Sequence, residues 1–136
     1  MKRTVAASVG LLVGGAALAD NLTGADRLLC APGQITICVE DADCYHAHAS
    51  ELGVPDFLIL DLKNKKMQTT KASEQTRTTP FSTVTRAGGA IYLQGIEGGR
   101  AFSLVINEAT GQLTAAVSRD GVAVTAFGVC TNAKAE

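Results

Sequence analysis

The sequence predicts an all-β fold: an antiparallel up-and-down meander of about eight strands that closes into a small barrel, with a two-sheet sandwich as the alternative. Two observations carry this expectation. From Ala87 to Cys130, apolar runs are separated by Gly88-Gly89, Gly98-Gly99, Glu108-Ala109-Thr110-Gly111 and Arg119-Asp120-Gly121, turn signals at roughly the 8 to 12 residue spacing of an antiparallel domain. Within those runs the side chains alternate. Phe102, Leu104 and Ile106 fall on one face of a strand while Ala101, Ser103, Val105 and Asn107 fall on the other. Leu113, Ala115 and Val117 likewise oppose Gln112, Thr114 and Ala116. The last run, Val122 to Cys130, is apolar on both faces, which predicts a strand covered on both sides.

Taken in order, the chain opens with Lys2 and Arg3, an apolar run from Val5 to Leu18 and an Ala17-Leu18-Ala19 ending. This is the pattern of a bacterial secretory signal peptide over residues 1–19. The run falls short of the roughly 20 residues that a membrane-spanning helix needs. Export to the periplasm or the exterior follows as the expected location. Residues 20–136 suffice for a single domain with a modest core. The formal net charge is −1 before Lys2 and Arg3 are removed, so nothing here points to nucleic acid. No membrane span is expected, and the domain is expected to be a monomer.

Four cysteines, Cys30, Cys38, Cys44 and Cys130, remain after cleavage, and an even count in an exported chain reads as two disulfides. The favoured pairing joins Cys38 to Cys44 across a short polar loop and Cys30 to Cys130, tying the first ordered segment to the last strand. The alternative is a zinc site built from Cys38, Cys44, His46 and His48, although their spacing matches no standard ligand pattern. On a strand, His46 and His48 would project from one face. The alanines, glutamate and leucine of residues 44–52 favour a short helix instead, ended by Gly53 and Pro55, with both histidines on its surface. No cofactor is expected.

An opening strand at Gln34–Val39 precedes this segment, and Phe57–Leu62, a turn at 63–66 and Met67–Thr70 follow it. Lys71–Thr79 is polar and reads as a loop, and Pro80–Arg86 reads as a threonine-rich strand leading to Gly88-Gly89. Acidic residues concentrate in 20–62 and basic ones in 63–86. Lys63, Lys65, Lys66, Lys71 and Arg77 form the one dense basic region, the candidate surface for a protein partner or an anionic component of the cell envelope.

The order Cys30, Cys38, Cys44, then Pro55-Asp56-Phe57, Leu93-Gln94-Gly95, Gly99-Arg100-Ala101-Phe102-Ser103-Leu104, Asn107-Glu108-Ala109-Thr110-Gly111 and Phe127-Gly128-Val129-Cys130-Thr131 resembles a family of small uncharacterised exported proteins of Gram-negative bacteria. That resemblance implies fold and location and brings no catalytic residues. Size, export and topology are more loosely similar to the small periplasmic barrels that inhibit lysozymes or proteases.

Catalytic patterns are missing. Both histidines lie in one segment beside the cysteines, Ser103 and Ser118 occupy strand positions without an elbow motif, and the glycine pairs precede no helix that could hold phosphate. Asp61 and Glu97 are the carboxylates with the best prospect of meeting across strands. A non-enzymatic role is therefore expected, as a binding or inhibitor-like interaction module, with carriage of a small apolar ligand in the barrel interior as the alternative. Two tyrosines, four phenylalanines and no tryptophan leave mostly aliphatic inward candidates, among them Phe57, Ile59, Leu93, Phe102, Leu104 and Phe127, which favours a filled interior.

Overall fold

β1 (Arg27–Val39) is the strand against which both halves of the sheet are laid. In the computed structural model, which describes residues 21–133, the strands form one antiparallel sheet curled into a half-barrel. After β1 come β2 (Tyr45–Ala47), β3 (Leu58–Asp61), β4 (Lys66–Thr69) and β5 (Thr78–Pro80). They are followed by β6 (Thr83–Ala87), β7 (Ala90–Glu97), β8 (Arg100–Asn107), β9 (Gln112–Arg119) and β10 (Val122–Asn132). Hydrogen bonding runs in the order β5-β4-β3-β1-β10-β9-β8-β7-β6, and β2 pairs with β1 off this path. The all-β expectation holds, with ten strands among the described residues where about eight were expected. The predicted signal peptide lies outside the described residues.

β1 begins well before the expected Gln34. Pro32-Gly33 reads as a break, yet it is a bulge: the ladder with β10 steps from Pro32 opposite Gly128 to Ile35 opposite Ala126, one extra residue on β1. That residue changes the alternation of the strand. Leu28 and Cys30 point into the half-barrel before the bulge, and Ile35 and Ile37 point in after it, all four buried.

The short helix expected over residues 44–52 forms only in its second half, and the first half is strand. The Cys38–Cys44 bridge turns the chain back onto β1, where Tyr45, His46 and Ala47 pair with Ile37, Thr36 and Ile35. Ladder bonds there outweigh the helical preference of the alanines. Only Ala49–Leu52 is helical, as a single 3-10 turn, and Gly53 ends it in the left-handed region, as Gly53 was expected to.

A closed ladder was expected, and the ladder is open between β5 and β6. The predicted strand Pro80–Arg86 is bent at Phe81-Ser82, so β5 and β6 continue each other instead of lying side by side. The Phe81 amide donates to the Lys65 carbonyl at 2.8 Å, while the next amide, Ser82, donates to Gln94 at 2.8 Å. The chain thus changes partner within two residues. Phe81 is buried at this corner and meets the Phe102 ring edge-on, with centroids 5.8 Å apart.

Inward rows run across the sheet: Ile91, Ile106 and Leu113 in one, and Leu93, Leu104, Ala115 and Ala126 in the next. With Leu22, Leu28 and Leu60 these residues form the main core, except Ala126, which packs against Ile35 and Ile37 in a second cluster. Residues 21–26 cap this end. The Leu22 amide donates to Glu108 at 2.8 Å, and Arg86 pairs with Glu108 at 2.6 Å while donating to the carbonyls of Leu22 and Ala25. On the outer face of β10, Phe127 and Val129 are 54% and 59% exposed, so this strand is not covered on both sides as expected. Phe57 is also exposed, outside any strand, and is not an inward residue.

Candidate functional site

Both disulfides follow the favoured pairing, Cys30 with Cys130 and Cys38 with Cys44. Bridging removes Cys38 and Cys44 as zinc ligands. His46 faces Thr36 across the β1–β2 ladder, its Nδ1 3.1 Å from the Thr36 hydroxyl. His48 precedes the 3-10 turn, where its carbonyl accepts the Glu51 amide at 3.1 Å. Among the described residues no three His, Cys, Asp or Glu side chains gather as a metal site would require.

The two candidate carboxylates stand on opposite faces of the sheet. Leu60 points inward, so its neighbour Asp61 points outward, where its oxygens accept from the Asn64 amide at 2.9 Å and the Asn64 side chain at 2.8 Å. Burial pushes the Asp61 carboxyl up, but these two bonds and the nearby charges of Arg27 and Lys66 outweigh it and hold the pKa below its ordinary value. Glu97 follows Leu93 and Gly95 on the inward face and accepts a hydrogen bond from the Thr79 hydroxyl.

The basic residues do not form one patch. Lys63 and Lys65 lie in the β3–β4 turn with Lys66 just beyond it, whereas Lys71 and Arg77 flank the loop at the opposite end of β4. Arg77 is held in place by its backbone: its amide donates to the Thr69 hydroxyl at 3.1 Å, and its carbonyl accepts the Thr69 amide at 3.1 Å.

The interior is not filled. A cavity of about 210 Å³ opens on the concave face at the end away from the Leu22 cap. Its floor and walls are apolar: Leu104, Leu113, Ala115, Val124 and Ala126 from the sheet, with Leu52, Val54 and Pro55 reaching over from the segment around the 3-10 turn. The space exists because small side chains, Ala115 and Ala126, face each other in the β9–β10 ladder. Beside it, Gly95 leaves room for the far end of the Phe102 ring against β7; a Cβ there would come within 2.8 Å of the Pro80 carbonyl oxygen.

Toward the rim, the inward-facing positions turn polar. Thr69 ends β4, Arg77 precedes Thr79 on one face of β5, Glu97 ends β7, and Arg100 starts β8 opposite Glu97 in register. All five line the cavity. Arg100 folds over the β7–β8 turn, where a Cβ on Gly98 would lie 3.4 Å from its Nη2. The cavity is thus apolar at depth and charged at its mouth. A second, more open depression on the outer face, about 450 Å³, is lined by short outward side chains such as Ala101, Ser103, Ala116 and Ser118 and carries no charged group.

Of the rim residues, only Arg77 and Glu97 stand out in the sequence, each for another reason. Thr69, Thr79 and Arg100 were missed as site residues. The signal that points to them is positional: each is a polar residue two places before the first buried or apolar residue on an inward face, or at the strand end itself. No known protein family, curated protein or solved structure matches this chain, so its site is defined by its own geometry.

Proposed function

We propose that this protein is an exported, non-enzymatic binding protein that holds one small amphipathic molecule in the concave face of its half-barrel. The cavity carries this reading: apolar walls graded to a polar rim are what a ligand site needs for both affinity and orientation. Its volume exceeds the roughly 150 Å³ at which an apolar cavity takes up benzene, and lies below the roughly 300 Å³ of sites for drug-sized ligands. A single ring or a short acyl chain is therefore the size expected. We read β5 and β6 as one bent strand that completes a barrel wall around this space. Two disulfides suit an oxidising compartment, and with the predicted signal peptide they support a periplasmic or secreted location.

The inhibitor-like role receives less support, because the basic residues it would use are divided between the two ends of β4. The test is a titration of the purified mature protein with an environment-sensitive apolar dye, followed by displacement with short-chain amphiphiles. Saturable one-to-one binding is expected. Dye binding that stays weak and linear would exclude the carrier reading and return the loops to first place.

A further inference from the structure

Resting on the binding role proposed above, we infer that the ligand is a small carboxylic acid, its tail in the apolar cavity and its carboxylate received by Arg77 and Arg100 at the rim. Two cationic side chains and one anionic side chain line this mouth. One oxygen of the anion is already engaged, since Glu97 Oε2 accepts the Thr79 hydroxyl. Among the described residues neither guanidinium has a hydrogen-bond or ion-pair partner, and the one ion pair there, Arg86 with Glu108, lies at the capped end.

This distribution is informative because Glu97 and Arg100 are direct register partners across a two-glycine turn, a placement that usually joins opposite charges. Here they remain unpaired, and Arg100 bends back over Gly98 instead. Arg77 is anchored by two hydrogen bonds between its backbone and Thr69, which fixes where its side chain starts. The site thus offers planar donors without acceptors beside an apolar cavity. A guanidinium accepts a carboxylate through two parallel hydrogen bonds, and a neutral alcohol gains no such pair. A cationic ligand would have to face two like charges to reach one carboxylate that is already hydrogen-bonded.

The experiment compares three probes with one tail, octanoate, octan-1-ol and octylammonium, by calorimetric titration of the intact oxidised protein. Octanoate should bind about tenfold or more tighter than the alcohol, in line with a charge-assisted hydrogen bond. Its affinity should fall with added salt more than the alcohol's does. In Arg77→Gln and in Arg100→Gln the octanoate-to-octanol ratio should fall toward one, and Arg100→Lys should recover part of it. A thermal melt of each variant confirms that it is folded. Octanoate and octanol bound equally, with a ratio that neither substitution moves, would overturn the carboxylate assignment while leaving the cavity as a binding site. Tightest binding of octylammonium would overturn it in favour of Glu97. Binding of none of the three would instead refute the underlying ligand-binding role.

Discussion

Cys30 and Cys130 face each other as register partners in the β1–β10 ladder, their Cα atoms 4.1 Å apart, and their disulfide joins strands separated by 100 residues of sequence. Both are buried in the main core. The bridge therefore fastens the two halves of the sheet where they meet, with β3 to β5 on one side of β1 and β6 to β10 reached through the other. Cys38–Cys44 spans only 6 residues and holds β2 against β1.

From these separations, Cys130→Ala should cost more than Cys44→Ala. Chain-entropy arguments give about 4 to 5 kcal/mol for the long loop and about 2 kcal/mol for the short one, with engineered and native cases often below these values. Denaturant midpoints of the two variants under non-reducing conditions measure the difference. Equal losses would mean that the long bridge does not constrain the unfolded chain as its length implies.

Gly111 supplies a second check on the same region. Its φ is +73°, its carbonyl accepts the Cys130 amide at 2.7 Å, and a Cβ on it would collide with the Cys130 carbonyl oxygen. Gly99 has a similar φ of +72° but nothing within 4 Å of the same position. Gly99→Ala should therefore cost about 1 to 2 kcal/mol from backbone strain alone. Gly111→Ala should add about 1 to 3 kcal/mol for displacing buried backbone. Urea melts that rank Gly99→Ala as the more damaging change would contradict the clash.

How much of this was legible before the structure follows from the length of each pattern. β8 and β9 alternate over eight residues between glycine turns, and there the faces expected from the sequence are the faces the ladder shows. β2, at three residues, is too short for alternation to show, and its alanines pointed to a helix; the pairing depends on a disulfide that brings Tyr45 back beside Ile37. β5 begins in the polar stretch Lys71–Thr79, which has no apolar period, and the corner at Phe81-Ser82 falls inside Pro80–Arg86, whose sequence reads as one strand. The cavity was hidden for another reason. It is a sum of side-chain volumes over strands remote in sequence, and only the ladder shows that Ala115 and Ala126 are opposite each other.

The Asp61 carboxyl gives a pH prediction whose sign is fixed by its environment. Its pKa in the folded protein lies below the 3.8 of the free side chain, because the Asn64 hydrogen bonds and the charges of Arg27 and Lys66 overcome the upward push of burial. The stability this contributes is complete above the unfolded value and is lost as pH falls through the folded one. Stability should decline on acidification below about pH 4. Asn64→Ala, which removes the side-chain donor, should make that decline shallower. Urea midpoints measured across the acid range at fixed ionic strength test this, and an unchanged slope in the variant would show that the Asn64 side chain does not hold the carboxylate.

Filling the cavity should separate ligand binding from stability. Ala126 lines it from β10, opposite Ala115 of β9 and Ile35 of β1, with open space above the three. In a close-packed core, a change from alanine to leucine would force about 1 to 3 kcal/mol of strain. Here the added methyl and methylene groups have room, and each buried one returns up to about 0.8 kcal/mol. Ala126→Leu should therefore leave stability within about 1 kcal/mol of the parent, or raise it, while saturable binding of an apolar dye disappears. Ala116→Leu, one position from Ala115 and on the outer face of β9, serves as the control and should leave dye binding intact. Loss of stability in Ala126→Leu comparable to that of a packed core would show the space to be closed in solution. Dye binding that survives in Ala126→Leu but is lost in Ala116→Leu would move the site to the outer depression.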